Sequence, residues 1–501
     1  MTGGVMSLKA KIAEVFNEPG CSTNQAKSET ARKKGCSKPL TPGAAAGGCA
    51  FDGAKIALQP ITDAAHIVHG PIGCEGNAWD NRHSASSGPM LYRTGFTTDL
   101  TELDVIHGGE KKLWKAIREV AEAHKPPAIF VYQTCVPAMI GDDVVKVCKA
   151  ASEKFGLPVI PVDAPGFAGS KNLGNKLAGE TLLDYVIGAI EPEDVTPYDI
   201  NIIGDFNLVG ELWHVLPLFE RLGIRLRASI TGDARYHEIA RAHRAKANLL
   251  VCSQAMVNVA RKMEERWGIP YMDGSFYGVT DVSNVLRGMA GLLVKQGADP
   301  ELLDRAETLI ALEEAKLWER LEKYRPVLSG RKVLLYTGGH KSWSVVSALQ
   351  ELGMTIIKTS VRKATESDKE RIKDLMGDDA PMVDAIPPRE MYRMLKEGEA
   401  DIMLSGGRTQ FVALKAKRPW LDINQERIHA YAGYEGTLRL VERLALALSS
   451  PIWEQVRKPA PWETARMPHP EERSVSKDEA YPSRQPLARL PQGEDILRGV
   501  K

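Results

Sequence analysis

From about residue 127 the chain repeats one phrase, and that phrase constrains its fold more than anything else in it. A short apolar run is followed by an amphipathic stretch, a glycine and another apolar run. It appears as Ala128 to Tyr132, Asp142 to Phe155, Gly156 and Leu157 to Val162. It returns as Ile200 to Gly204, Leu208 to Leu222, Gly223 and Ile224 to Arg227, and then as Leu249 to Val251, Met256 to Trp267, Gly268 and Ile269 to Tyr271. Lys332 to Tyr336, Ser342 to Leu352, Gly353 and Met354 to Ile357 close the series. Each glycine falls where a helix ends in the left-handed conformation, and the flanking runs are short enough to be buried parallel strands. The phrase predicts an α/β fold of doubly wound, Rossmann-like domains with parallel sheets.

A chain of 501 residues exceeds what one hydrophobic core supports, so several domains are expected. Glu191-Pro-Glu-Asp-Val-Thr-Pro197 interrupts the pattern near 196, and a long charged helix from Pro300 to Tyr324 precedes a second boundary near 326. The division is a polar arm over 1–40, α/β domains over 41–196, 197–326 and 327–436, and a helix with a Pro-rich tail over 437–501. The tail beyond about 450 reads as extended or disordered.

Lys plus Arg at 65 nearly cancels Asp plus Glu at 64, without a long basic block, which gives a nucleic-acid role little electrostatic support. No apolar run approaches the roughly 20 residues that span a bilayer, and the start is not a signal peptide. Seven scattered cysteines argue against a disulfide framework. A soluble, cytoplasmic protein with no membrane partner is expected.

Three of those cysteines stand in loop-like surroundings rich in Gly and Pro: Cys49, Cys74 and Cys135. Thiolates beside small residues leave room for something bulky and soft, which points to an iron-sulfur cluster. No Cys-x-x-Cys pair occurs, so the fold must gather these ligands. Three thiolates are one short of a cubane, and the fourth ligand is expected from another chain. Cys135 and Cys252 follow apolar strands at the edge where open α/β sheets place ligands. Cys148 falls on an apolar helix face with Val144, Val145, Ala151 and Phe155 and reads as core. Cys21 and Cys36 read as surface thiols of the arm, with a transient or auxiliary iron-sulfur contact as the alternative. His66, His69 and His107 invite a metal-ligand reading, but His69, in its Gly-Pro motif, reads as making a local hydrogen bond, and Gly338-Gly339 reads as a turn. No Gly-x-Ser-x-Gly or Walker pattern supports hydrolase chemistry.

At this point the residues resemble a family. Gly48-Cys49-Ala-Phe-Asp-Gly-Ala-Lys55, His69-Gly-Pro-Ile-Gly-Cys74, Cys135-Val-Pro-Ala-Met-Ile-Gly-Asp-Asp143, Gly166-Phe-Ala-Gly-Ser-Lys-Asn-Leu-Gly174, Cys252-Ser-Gln-Ala-Met256 and Tyr431-Ala-Gly-Tyr-Glu-Gly436 are similar, in order and spacing, to the nitrogenase component 1 superfamily. The resemblance covers roughly residues 40 to 450. It implies that Cys49, Cys74 and Cys135 hold a 4Fe-4S cluster shared with a homologous partner subunit. It implies also that Cys252 ties one end of a large iron-sulfur cluster to the protein.

Departures from the family's catalytic subunit then imply a different task. Where that subunit ligates molybdenum with a histidine, alignment from Arg418-Pro419 puts Asn424, with His429 nearby as the rival position. A neutral amide is a poor ligand beside imidazole. Lys171 and Asn175 replace a Gln and a His implicated in proton delivery, and neither titrates usefully near neutral pH. Lys171, Arg82, Lys341 and Arg408 instead suit an anionic cargo and a polycarboxylate such as homocitrate. The implied role is assembly of the iron-molybdenum cofactor, without an independent catalytic motif. A precursor would be held while molybdenum and homocitrate are added transiently. The implied partners are a homologous subunit in a heterotetramer, a radical enzyme donating the precursor, the nitrogenase iron protein, and the apo molybdenum-iron protein as acceptor. The rival readings are a catalytic nitrogenase α subunit and a dark-operative protochlorophyllide reductase.

Overall fold

Gly156 and Gly268 end their helices with φ of 65° and 68°, and Gly223 and Gly353, each two residues past theirs, take 76° and 73°. Glycine adopts that left-handed region without a Cβ penalty, so each helix stops there and the chain turns back into a strand. A computed structural model describes Ser7 and residues 48–460, apart from 80–83, 252–255, 338–339, 362–363, 365, 384 and 425–427. Of Trp79, His340 and Lys341 it describes the backbone alone. Cys21, Cys36, Arg82, Cys252 and Gly338-Gly339 therefore lie outside the described residues, as does the side chain of Lys341.

Among the described residues the strands form three sheets, parallel throughout. The first contains β1 (Ala65–His69), β2 (Phe96–Thr97), β3 (Ile129–Gln133) and β4 (Val159–Asp163) in the order β2-β1-β3-β4. The second contains β5 (Asp199–Ile203), β6 (Arg225–Ile230), β7 (Ala247–Leu250) and β8 (Tyr271–Asp273) in the order β6-β5-β7-β8. The third contains β9 (Lys332–Tyr336), β10 (Thr355–Ser360), β11 (Met382–Val383), β12 (Ile402–Ser405) and β13 (Trp420–Asp422) in the order β11-β10-β9-β12-β13.

Successive strand residues point to opposite faces, so each sheet feeds two cores. Ile129 and Val131 pack with Leu113, Ile117, Val144 and Cys148, while Phe130 and Tyr132 pack with Phe51, Leu173 and Leu177 on the other face. That second core continues through Ile203, Ile230 and Leu250 of the second sheet. Ile200, Ile202 and Leu249 face the opposite way, into a core shared with Val333, Leu335 and Ile402 of the third sheet. Neighbouring sheets are thus joined by common apolar cores, and Met1–Ser450 forms one compact unit.

Two expectations need correction. On the helix Val144–Phe155, Val145 is half exposed and Val147 is buried in its place beside Val144, Cys148 and Ala151, because a 3.6-residue period carries 147 rather than 145 onto that stripe. After Ser450 the chain is not extended at once: Ile452–Arg457 is helical, within a second unit, Pro451–Lys501. Among the described residues, no helix is long and apolar enough to cross a membrane.

One joint between the second and third sheets carries a pH dependence. Glu351, ending the helix His340–Glu351, accepts hydrogen bonds from the Val279 and Thr280 amides at 2.9 and 3.0 Å, capping the helix Val279–Lys295. Asp281, buried on the same first turn, has its carboxyl pushed up to about 7 by burial and then by the Glu351 charge, against a Ser347 hydrogen bond and Arg371. An acid whose folded value is raised keeps its proton where the unfolded chain has lost it. Stability therefore falls as pH rises from about 4 to about 7, and the penalty is fully present above that window. Asp281→Asn, which mimics the protonated form, is expected to stabilise the protein by roughly 2–4 kcal/mol at pH 8 and by much less at pH 4.5. Thermal midpoints at the two pH values test this, and equal gains would contradict it.

Candidate metal centre

The three cysteines expected to act together meet at the C-terminal edge of the first sheet. Cys49 caps the N-terminus of the helix Ala50–Leu58, Cys74 lies in Ile72–Trp79 after β1, and Cys135 opens Cys135–Ile140 after β3. Cys49 also forms an antiparallel bridge with Ser170, and the Lys171 amide donates to the Gly48 carbonyl at 3.1 Å. The helices Ala50–Leu58 and Lys171–Tyr185 cross at backbone contact, since a Cβ on Gly53 would lie 1.9 Å from the Lys171 carbonyl oxygen and one on Gly174 1.9 Å from that of Ala50. Only glycine allows this approach.

Gly166, in the turn after β4, shows where the sulfurs converge. A Cβ there would sit 2.9 Å from the Cys135 sulfur and 3.1 Å from the Cys49 sulfur. Cys74 lies close enough to both for their charges to act on it. Burial pushes its thiol up, Cys135 and Cys49 push it further, and a Thr134 hydrogen bond opposes them. All three thiols are free. Soft, half-buried donors around a space that a single methyl would fill suit a polynuclear iron-sulfur group, whose irons each take one thiolate. Among the described residues, no three His, Cys, Asp or Glu side chains are grouped to hold a single metal ion. Loading such a group displaces the thiol protons.

Behind the cysteines, the buried Lys55 bonds the buried Glu75 and ties the helices carrying Cys49 and Cys74 together. His69 is fully buried, with Nδ1 3.1 Å from the Thr98 hydroxyl and Nε2 3.0 Å from the Asp142 carboxylate. His66 spends both nitrogens on the Tyr132 hydroxyl and the Ile61 carbonyl. His69 is thus hydrogen-bonded within the protein, as expected. His107 is exposed at the end of Glu102–His107.

Ile72, Met139 and Phe167, beside Cys74, Cys135 and Gly166 in the chain, are 60%, 77% and 61% exposed. Leu103 and Ile106 present further bare apolar surface on Glu102–His107. Apolar side chains of this size left exposed around one site form the kind of patch that interaction surfaces use.

The cargo-facing candidates fall into two groups. Lys171 and Asn175 lie one turn apart at the start of the helix that bridges to Cys49. Asn175 is only 8% exposed, and its Oδ1 has no hydrogen-bond partner among the described residues. Asn424 and Arg408 stand just past β13 and β12, adjacent strands of the third sheet. The Asn424 Oδ1 accepts from the Thr337 hydroxyl at 2.9 Å, and Arg408 is exposed. His429 is held below the usual imidazole range by burial and by Arg443 and Arg439. Gly166, Thr134 and Thr337 were not singled out from the sequence. Gly166 and Thr134 flank features that were, standing in a quoted motif and immediately before Cys135.

With that geometry in place, comparison fixes the class. Residues 49–449 match the family described as nitrogenase component 1 type oxidoreductase, and the chain belongs to it. A solved structure titled nitrogenase Cp1 at pH 6.5 superposes with a TM-score of 0.76 at 26% identity, over 91% of this chain and 100% of its own. The particular relatives are narrower. The nitrogenase iron-molybdenum cofactor biosynthesis protein NifE of Mesorhizobium japonicum is 66% identical over 458 residues, 91% of this chain and 92% of its own. The protein of that name from Klebsiella pneumoniae is 52% identical over 462 residues, 90% of this chain and 99% of its own. Within the family, this chain groups with the NifE proteins.

Proposed function

We propose that this chain is the α-type subunit of a scaffold on which the iron-molybdenum cofactor is built. The observation that carries the reading is the convergence of the Cys49 and Cys135 sulfurs on Gly166, with Cys74 beside them, under a rim of bare apolar residues. Three thiolates at an apolar rim suit a 4Fe-4S cluster whose remaining ligand comes from a homologous NifN-like subunit, the pair dimerising again as a heterotetramer. Residues 41–196, 197–326 and 327–436 serve as its three α/β domains.

The cargo is an iron-sulfur precursor delivered by a NifB-type radical enzyme and anchored by Cys252. Molybdenum and homocitrate are added with the nitrogenase iron protein docked, and the product passes to the apo molybdenum-iron protein. Lys171, Arg82, Lys341 and Arg408 offer cations to an anionic cargo and its polycarboxylate, and the unpaired Oδ1 of Asn175 offers a buried acceptor. Asn424, already accepting from Thr337, holds the far end without a strong ligand. A carrier must bind its cargo less tightly than the acceptor does, and a missing end ligand meets that need.

The test is iron, sulfide and molybdenum analysis with electron paramagnetic resonance on the anaerobically purified complex, before and after molybdate, homocitrate and iron protein are supplied. Molybdenum should appear only after supply, and the product should activate apo-nitrogenase. The rival reading, a catalytic nitrogenase α subunit, requires the complex itself to reduce dinitrogen. A complex that does so, or one that holds no cargo under any of these conditions, would overturn the proposal.

A further inference from the structure

Thr134 occupies the capping position ahead of the helix Cys135–Ile140, yet its side chain makes no capping bond. A threonine there normally accepts from an amide of the first turn, a contact worth about 1 kcal/mol. Its hydroxyl is committed elsewhere. Oγ1 lies 2.9 Å from the His69 carbonyl oxygen and stands near enough to the Cys74 side chain to act on its thiol. The His69 carbonyl already accepts from the Thr134 backbone amide at 3.1 Å, so the hydroxyl duplicates a bond that exists without it.

The surroundings are built to keep that hydroxyl in place. Thr134 is 1% exposed, which leaves water little room to substitute for it. A Cβ on Gly70 would lie 2.0 Å from Thr134 Oγ1, so glycine in the His69-Gly-Pro turn is what makes space for it. Asp142 and Thr98 clamp the His69 ring from either side, fixing the residue whose carbonyl the hydroxyl shares.

We propose that Thr134 is a positioning residue for the candidate cluster: its hydroxyl turns from the His69 carbonyl to donate to the Cys74 sulfur when that sulfur is a ligand, and so sets the cluster's reduction potential. The inference rests on reading Cys49, Cys74 and Cys135 as cluster ligands. A hydroxyl has one proton, and giving it to sulfur leaves the His69 carbonyl with the Thr134 amide, so no buried acceptor is abandoned. An O–H···S bond offsets part of the negative charge on sulfur. It stabilises the reduced, more anionic cluster and raises its potential.

The experiment uses the complete anaerobic complex with its homologous partner, carrying Thr134→Val, Thr134→Ser or Cys74→Ala, with potentials read by resonance-monitored redox titration and iron measured in parallel. Thr134→Val keeps the shape without the donor. It should retain its iron while the reduced-to-oxidised ratio at a fixed poise falls about tenfold, equivalent to about 59 mV for one electron. Thr134→Ser should titrate as the parent does. Should the valine variant lose its cluster, Thr134→Ala takes its place in the titration. A donor-free variant at the parent potential, or a serine variant displaced as far as valine, overturns the proposal. Undiminished iron and signal in Cys74→Ala would instead overturn the ligand assignment, and the proposal with it.

Discussion

Replacing Gly166 with alanine is expected to remove the small cluster while leaving the fold intact. The new methyl would lie 2.9 Å from the Cys135 sulfur and 3.1 Å from the Cys49 sulfur, inside van der Waals contact with both. Both cysteines are only partly buried, Cys49 at the edge of an apolar core, so the protein can relieve the clash by turning a cysteine side chain about its Cα–Cβ bond. That rotation carries little penalty in the metal-free chain. It removes a ligand from the position all three must share. The expected result is a thermal midpoint within a few degrees of the parent, about 1 kcal/mol or less, with most of the small-cluster iron and its resonance signal lost from the complex. Cys49→Ala and Cys135→Ala should give the same deficit by deleting a donor directly. A Gly166→Ala complex with the parent's iron content would show that the sulfurs converge on Gly166 for another reason.

The sequence reveals the elements more readily than their assembly. The four glycine-terminated phrases are local, since a left-handed cap and an apolar run are properties of neighbouring residues, and all four recur as helix and strand in the structure. Strand order is not local. Nothing in the run Ile200 to Ile203 says that β5 lies between β6 and β7, or that its alternate faces serve two different cores. The cysteine trio was legible because thiols in loops beside glycine carry their chemistry in the sequence. Gly166 was visible only as part of a motif, because its role depends on sulfurs brought from two distant segments. Thr134 was hidden for a related reason: its position reads as an ordinary helix cap, and only its turned hydroxyl, the space at Gly70 and the proximity of Cys74 separate it from one. The raised carboxyl of Asp281 likewise depends on burial and then on Glu351 from another sheet's layer. Val145 shows the limit of reading a helical face from a list of apolar residues, since one step along the chain turns a side chain by about 100°.

Cys252→Ala is expected to abolish retention of the large cargo cluster and to spare the small one. Cys252 lies outside the described residues, and the argument for it is one of sequence and chemistry. It comes two residues after Leu250, the end of β7, in a sheet whose strands are all parallel, and ligands of such sheets bind beyond that edge. The opposite pole has little to offer in compensation. Asn424 is a neutral amide whose oxygen already accepts from Thr337, and the nearby His429 is crowded by the charges of Arg443 and Arg439. Lys171 and Arg408 can attract an anionic cargo but cannot bond iron. A lone thiolate therefore supplies the covalent part of the grip, and its loss should weaken retention by more than about 100-fold, the upper range for disturbing even an indirect contact to a metal. Iron content after gel filtration should fall to that of the small cluster alone, with the signal of that cluster unchanged. Cys252→Ala and Gly166→Ala would then each remove a different fraction of the iron, and the double variant should remove both. Equal iron in the Cys252→Ala complex and its parent would mean that the cargo is held by groups other than this sulfur, and the account of a carrier that grips one pole and frees the other would fail.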